Sequence, residues 1–177
     1  ISALLFALSW SFLLKNYQKQ RILTFLNPQK DPLGYSYHLS QSIIAIGSGG
    51  ILGKGLGYGS QSQLKFLPEG TTDFTFAVIA EEWGFIGVLF LFSLFALMLY
   101  RILKITLLAD NNFSKLFATG FALMLVSQIL INTGMNLGLL PIIGIPLPFV
   151  SYGGSSILVN FIGIGILESI KIRSAGA

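Results

Sequence analysis

The feature that most limits the fold of this chain is an apolar run over residues 74–100 that carries only two charges, Glu81 and Glu82. A helix of about 20 apolar residues crosses the hydrocarbon of a bilayer, and a helix satisfies its own backbone hydrogen bonds where water is absent. Only 10% of the 177 residues are charged, whereas about a quarter are charged in soluble domains. The sequence therefore predicts an all-α fold, a polytopic membrane helix bundle.

Two further apolar runs, residues 113–135 and 156–170, are long enough or nearly long enough to span a membrane. Residues 1–14 are apolar but short, and we expect them to be the end of a helix in the C-terminal piece of a longer protein. A large extracytoplasmic loop is expected over residues 15–73, and an outer turn over residues 136–155. The whole chain would then form a single membrane domain.

Basic residues predict the orientation of the spans. Arg101, Lys104 and Lys115 lie between the first two full spans, and Lys171 and Arg173 follow the last one. Both groups fall on the same side of the membrane, which the positive-inside rule makes cytoplasmic. The outward segment is also basic, however, with Lys15, Lys19, Arg21, Lys30, Lys54 and Lys65. Either an anionic ligand or contact with lipid phosphates would account for these outer cations.

Some classes of site are disfavoured by composition. The chain has no cysteine and a single histidine, His38, so disulfides, thiolate metal sites and histidine-based metal sites are not expected. The net charge of +4 bears on membrane topology rather than on nucleic-acid binding. No nucleic-acid partner is predicted.

Asp73 stands where a polar segment rich in glycine and proline gives way to the first full span. In one interpretation, Thr71 or Thr72 caps the helix, and the helix dipole stabilises the Asp73 carboxylate in the first turn. In the other interpretation, this carboxylate is a general base at the membrane surface. The spacing alone favours the helix-start interpretation.

Other polar residues lie inside the apolar runs. Acids within a span are costly, so we expect Glu81 and Glu82 to be paired, with Glu81 next to a stripe of small residues suited to close helix packing. Gln128, Asn132 and Asn136 are spaced four residues apart. This spacing predicts hydrogen bonds between helices.

Glycine and proline interrupt the chain at two places. Seven of the thirteen residues over 47–59 are glycine, which favours a flexible loop. The outer turn contains three prolines, which exclude a continuous helix there. We expect Ser155 or Ser156 to cap the last helix, and we expect the outer turn to wall a cavity that Asp73 overlooks.

Several short motifs follow one another between about Tyr17 and Ser169. They include Asp31-Pro32-Leu33-Gly34, Gly53-Lys54-Gly55, Phe66-Leu67-Pro68-Glu69, Thr72-Asp73-Phe74, Asn132-Thr133-Gly134-Met135 and Ser151-Tyr152-Gly153-Gly154-Ser155-Ser156. Together these motifs resemble the SEDS family (shape, elongation, division and sporulation), and its elongation branch more than its division branch. The resemblance implies about ten transmembrane helices in the full protein, of which this chain would carry the last four.

The resemblance also implies an activity, peptidoglycan glycosyltransfer, in which lipid II is polymerised into glycan strands on the outer face of the bacterial cytoplasmic membrane. The family's essential acid maps onto Asp73, with an expected role as general base. The implied partners are a class B penicillin-binding protein, which is the transpeptidase, and other membrane proteins of the elongation machinery.

Charge suggests further site residues around this acid. Lys54 and Lys65 are predicted to stabilise the substrate pyrophosphate, and Glu69 is a third candidate for substrate binding. A divalent cation, Mg²⁺ or Mn²⁺, would assist the leaving group, although no metal cluster is visible in the sequence. A flippase for lipid-linked precursors and a non-catalytic scaffold are the alternatives. The clustering of polar residues at the outer face favours the enzyme.

Overall fold

The computed structural model describes residue 21 and residues 35–63 and 72–175. The two longer ranges form five α-helices and no strand: α1 Tyr35–Gly49, α2 Ser60–Gln63, α3 Thr75–Leu108, α4 Asn112–Asn136 and α5 Gly154–Ala175. This confirms the all-α prediction for the described part of the chain. The helix end expected over residues 1–14 lies outside the described residues.

Helices α3, α4 and α5 are long and apolar enough to cross a membrane, in agreement with the three full spans predicted. Helix α3 continues to Leu108, so Arg101 and Lys104 lie within its last turns and not beyond its end. Long basic side chains allow this, because their apolar stems cover the helix while the charges reach water. Helix α5 begins at Gly154, which places Ser155 and Ser156 inside its first turn and corrects their predicted role as caps.

The three long helices share a core at the end where α3 stops. Buried apolar residues from all three helices meet there: Ile102, Ile105, Ala118, Phe121, Ala122, Leu125 and Leu167. Many large apolar side chains remain exposed on the outer faces, such as Leu107 at 81% and Leu116 at 73%. Such faces suit a bilayer or neighbouring membrane helices, since neither demands polar groups.

Helix α1 packs against the first half of α3 within the segment expected to be an outer loop. Ala45 of α1 and Ala77 of α3 are fully buried and share a cluster with Phe74. The stripe of small residues on α3 is buried as predicted, including Ala80 and Gly87. Small side chains allow the two backbones to approach closely.

Helix α3 is broken at Gly84, where the backbone has φ 64° and ψ −162°. The glycine-rich segment fits into this break. Four backbone hydrogen bonds of 2.9–3.2 Å join them: Lys54 N to Glu81 O, Gly55 N to Glu82 O, Phe85 N to Gly50 O and Ile86 N to Ile51 O. The expected flexible loop is therefore a segment bound to α3, because it satisfies backbone groups that the break leaves unpaired.

Replacing Gly84 with alanine is expected to destabilise the fold. Its backbone conformation costs a residue with a side chain about 1–3 kcal/mol, and an added Cβ would collide with the Gly53 nitrogen and the Ile51 carbonyl. The unfolding temperature of the whole protein in neutral detergent measures the effect. The matched control is Gly120→Ala in α4, where a Cβ meets nothing within 4 Å; it should be neutral or stabilising by up to about 1 kcal/mol. Equal unfolding temperatures for the two variants would contradict the expectation.

Candidate functional site

Asp73 lies just outside helix α3. The helix begins at Thr75, its N-cap residue is Phe74, and no side chain caps it through a hydrogen bond. The Thr75 hydroxyl instead donates to the Thr72 carbonyl at 3.2 Å. The first turn of α3 contains no acid. Asp73 therefore stands two residues before the helix and not inside its first turn, where the helix-start interpretation placed it.

The backbone of Asp73 is held by α4. Asn132 Nδ2 and Asn136 Nδ2 both donate to the Asp73 carbonyl, at 3.2 and 3.0 Å, and both asparagines are fully buried. The predicted bond to another helix is found for Asn136, whose Oδ1 accepts from Ser42 of α1 at 3.3 Å. Gln128 Oε1 is buried without a partner among the described residues. The spacing could not reveal the acceptor at Asp73, because it is a backbone carbonyl that every residue carries.

The outer turn lies against the Asp73 carboxylate. Gly144 has φ 80°, and a Cβ at this position would stand 3.3 Å from Asp73 Oδ2. The Asn132 amide also donates to the Ile145 carbonyl at 2.8 Å, so one side chain binds both Asp73 and the turn. The turn therefore lies beside the carboxylate, and the cavity that the two were expected to share stays a prediction.

Two further side chains complete the surroundings of Asp73. Ser42 of α1 is fully buried and donates to the Asn136 carbonyl at 2.9 Å. Arg21 Nη1 donates to the Ile143 carbonyl at 3.0 Å, next to Gly144. Asp73 thus lies where the outer turn meets helices α1, α3 and α4. The guanidinium of Arg21 is bound to the same turn. Sequence reasoning counted Arg21 only among the outer cations, since nothing in the sequence links it to residue 143.

Lys54 is bound to Glu81 and is not brought to Asp73 by any described contact. Its ammonium lies 2.8 Å from Glu81 Oε1, with side-chain exposures of 28% for Lys54 and 0% for Glu81. The Ser60 hydroxyl and the backbone amide of Gln61 also donate to Glu81 Oε1, at 3.2 and 3.0 Å. Glu81 is therefore paired as predicted, and it lies roughly 12 Å along the axis of α3 from Asp73. Substrate binding by Lys54 stays a prediction.

The remaining candidates have different outcomes. Glu82 Oε1 accepts a hydrogen bond from the Gly57 amide at 3.2 Å, which agrees with its expected structural role. Lys65 and Glu69 lie outside the described residues. Within the described ranges, no group of three or more histidine, aspartate or glutamate side chains could hold a metal ion. The described residues therefore do not fit a divalent cation site by themselves, and Mg²⁺ or Mn²⁺ stays an expectation.

Replacing Asn136 with leucine is expected to displace Asp73 and so to lower the rate of the glycosyl transfer that the family resemblance implies. The change removes one of the two donors to the Asp73 carbonyl and the side-chain contact with Ser42, and a hydrogen bond contributes about 0.5–1.5 kcal/mol. We expect roughly a tenfold loss in turnover of the whole protein, since about 1.4 kcal/mol corresponds to a factor of ten. Gln128→Leu is the matched control, because it removes a side chain whose buried Oε1 has no partner among the described residues. Equal loss in both variants would show that Asn136 does not position Asp73.

Comparison with known proteins extends these observations. A family model for cell cycle proteins, that of FtsW, RodA and SpoVE, matches residues 1–175. The peptidoglycan glycosyltransferase MrdB of Escherichia coli strain K12 is 51% identical over 161 residues, which are 91% of this chain and 44% of MrdB. The peptidoglycan glycosyltransferase RodA of Treponema pallidum is 46% identical over 160 residues, 90% of this chain and 37% of RodA. A probable peptidoglycan glycosyltransferase FtsW of Coxiella burnetii is 48% identical over 165 residues, 92% of this chain and 44% of that protein.

A solved structure agrees with the sequence relatives. A chain in a peptidoglycan synthase complex that coordinates polymerization and crosslinking superposes with a TM-score of 0.67 and 35% identity, covering 93% of this chain and 45% of that one. The chain spans less than half the length of these relatives. The family match nevertheless covers almost all of its residues. The chain therefore belongs to the cell cycle protein family of FtsW, RodA and SpoVE, the SEDS family that its motifs resemble.

Proposed function

We propose that the protein to which this chain belongs is a peptidoglycan glycosyltransferase that polymerises lipid II into glycan strands during cell elongation. The relatives MrdB and RodA are named peptidoglycan glycosyltransferases, which supports the proposal. The observation that carries the proposal is the setting of Asp73. Its backbone is held by Asn132 and Asn136, and its carboxylate lies beside Gly144 and outside the first turn of α3.

In this proposal Asp73 is the general base. Its carboxylate takes the proton from the 4-hydroxyl of the acceptor sugar while that oxygen attacks the anomeric carbon of the donor. The bond from the anomeric carbon to the pyrophosphate oxygen breaks, and undecaprenyl pyrophosphate leaves with the bonding electrons. A base needs hydrogen-bond reach to its proton and a pKa near the working pH. Asp73 lies two residues before the start of α3, where the helix dipole favours the ionised carboxylate, and the ionised form is the one that accepts a proton.

The leaving pyrophosphate needs positive charge. Arg21 supports this part of the proposal because its guanidinium is bound to the turn beside Gly144. Lys54 is a weaker candidate for stabilising the pyrophosphate, because its ammonium is already paired with Glu81. Lys65 stays a candidate on the basis of its charge alone. No step is routed through a divalent cation.

We place the protein in the bacterial cytoplasmic membrane with Asp73 on the outer face. The basic residues around Arg101 and Lys171, at the opposite end of the long helices, support this orientation through the positive-inside rule. We further propose a class B penicillin-binding protein as partner. The similarity to a chain from a complex that couples polymerization with crosslinking supports this choice.

One reconstitution experiment tests the proposal. The whole protein, purified with its transpeptidase, is given labelled lipid II in proteoliposomes, and glycan products are separated by length. Polymer formation is the expected result. Transfer of lipid II across the bilayer without polymer would support the flippase alternative instead. Loss of both activities, with the complex still assembled, would support a scaffold.

A further inference from the structure

A charged cavity lies far from Asp73, at the end of the bundle where α3 and α5 stop. Its volume is about 240 Å³. Four lining residues come from α3 and two from α5: Arg101, Lys104, Ile105, Leu108, Glu168 and Lys171. We call it the α3–α5 pocket. The proposed glycosyl transfer makes no use of it.

The charge of the α3–α5 pocket is unbalanced. Three cations face one carboxylate, and that carboxylate, Glu168, is paired with Lys171 at 3.0 Å, with both side chains about half exposed. Among the residues that the structure describes, no ion pair involves Arg101 or Lys104. A guanidinium and an ammonium therefore remain available to an anion. Arginine suits a phosphate in particular, since its planar fork donates two parallel hydrogen bonds.

The surroundings of the pocket are amphipathic. Ile105 is only 8% exposed and belongs to the buried core, which gives the cavity a firm apolar floor. Leu97 and Leu94 precede Arg101 by four and seven residues, so they continue its face of α3 towards the middle of the helix. These two leucines are 54% and 47% exposed. Cations near the membrane surface above an exposed apolar ridge match a phosphate headgroup above acyl chains.

We propose that the α3–α5 pocket binds the phosphate of an anionic glycerophospholipid. Arg101 and Lys104 contact the phosphate oxygens, Lys171 adds a third cation, and an acyl chain lies along Leu97 and Leu94. The positive-inside rule places this lipid in the cytoplasmic leaflet, where anionic headgroups attract basic residues. Selectivity over zwitterionic lipids follows from the excess positive charge.

Lipid retention by the whole protein tests this site. The purified protein is equilibrated in neutral detergent with phosphatidylglycerol or phosphatidylethanolamine, and bound lipid is counted by native mass spectrometry. Each cation near a membrane surface is worth about 1 kcal/mol, which is about fivefold in affinity. We expect the double variant Arg101→Gln/Lys104→Gln to lose roughly 25-fold for phosphatidylglycerol and little for phosphatidylethanolamine.

Two matched variants sharpen the test. Lys115→Gln removes an exposed cation at the same end of the bundle that does not line the pocket, so it should leave retention unchanged. Glu168→Gln removes the competing carboxylate and should strengthen retention several-fold. Equal losses in Lys115→Gln and the double variant would overturn the proposal in favour of general surface charge. Displacement of the lipid by millimolar inorganic phosphate would overturn it in favour of a soluble anion. Far-UV circular dichroism verifies that each variant is folded.

Discussion

Replacing Asp73 with asparagine is expected to abolish glycan synthesis while leaving the fold intact. A general base contributes about 10²–10⁴-fold to a rate, so polymerisation of lipid II should fall by that factor or below detection. The fold should survive, because Asn132 and Asn136 bind the backbone carbonyl of residue 73 and not its carboxylate. An asparagine keeps that carbonyl and nearly the same side-chain volume.

The measurement is the initial rate of polymerisation by the whole protein with the proposed transpeptidase partner, alongside the unfolding temperature of each variant. The matched control is Asp110→Asn, which neutralises an exposed acid between α3 and α4, near the opposite end of the long helices. That variant should polymerise at the normal rate. An Asp73→Asn protein with normal turnover would refute the base assignment. An inactive variant with a much lower unfolding temperature would instead mean that the carboxylate supports the fold.

Breaking the buried pair of Lys54 and Glu81 is expected to have the second large effect, on stability. Lys54→Met removes the ammonium that lies 2.8 Å from the fully buried Glu81 carboxylate, and breaking a buried ion pair by removing one partner costs about 3–5 kcal/mol. Glu81→Gln should cost less, about 1–2 kcal/mol, because Lys54 is 28% exposed and its ammonium can turn to water. We therefore expect an asymmetry within one ion pair, with the lysine change the more damaging.

A double-mutant cycle in neutral detergent measures this asymmetry from unfolding temperatures. Lys54→Met/Glu81→Gln removes both charges, and it should be less destabilised than the sum of the two single changes. The chain offers a matched control in the exposed pair Lys171 and Glu168, whose side chains are 51% and 53% exposed. Lys171→Met should change stability by no more than about 1 kcal/mol. Similar losses of stability in Lys54→Met and Lys171→Met would show that the burial of Glu81 does not determine the loss.

This pair also explains how the break in α3 is kept in place. Glu81 lies three residues before Gly84, and its carboxylate holds Lys54 and the Gln61 amide. The glycine-rich segment is thereby fastened to the helix by side chains as well as by its backbone. A charge inside a span is costly. At this position it joins the glycine-rich segment to α3, in addition to the backbone hydrogen bonds and the bond from the Gly57 amide to Glu82.

The spans themselves were predictable from the sequence, because the bilayer imposes a local requirement. A membrane helix needs a continuous apolar stretch, and the cores of α3, α4 and α5 fall on the three runs identified. Their ends were less predictable: α3 runs on to Leu108 through Arg101 and Lys104, since basic side chains tolerate the membrane edge. The four-residue spacing of Asn132 and Asn136 also predicted contacts with another helix.

The sequence by itself thus determined the membrane class, the three spans and Asp73 as the acid of interest through its family motifs. Only the tertiary structure decided that Asp73 lies before the first turn of α3 and beside Gly144. It also decided that Lys54 forms an ion pair with Glu81. The length of an apolar run is a property of consecutive residues, so the sequence alone shows it. The partners of Asp73 on α4 lie 59 and 63 residues away, and they bind a carbonyl that has no sequence signature. Such contacts exist only once the helices have packed.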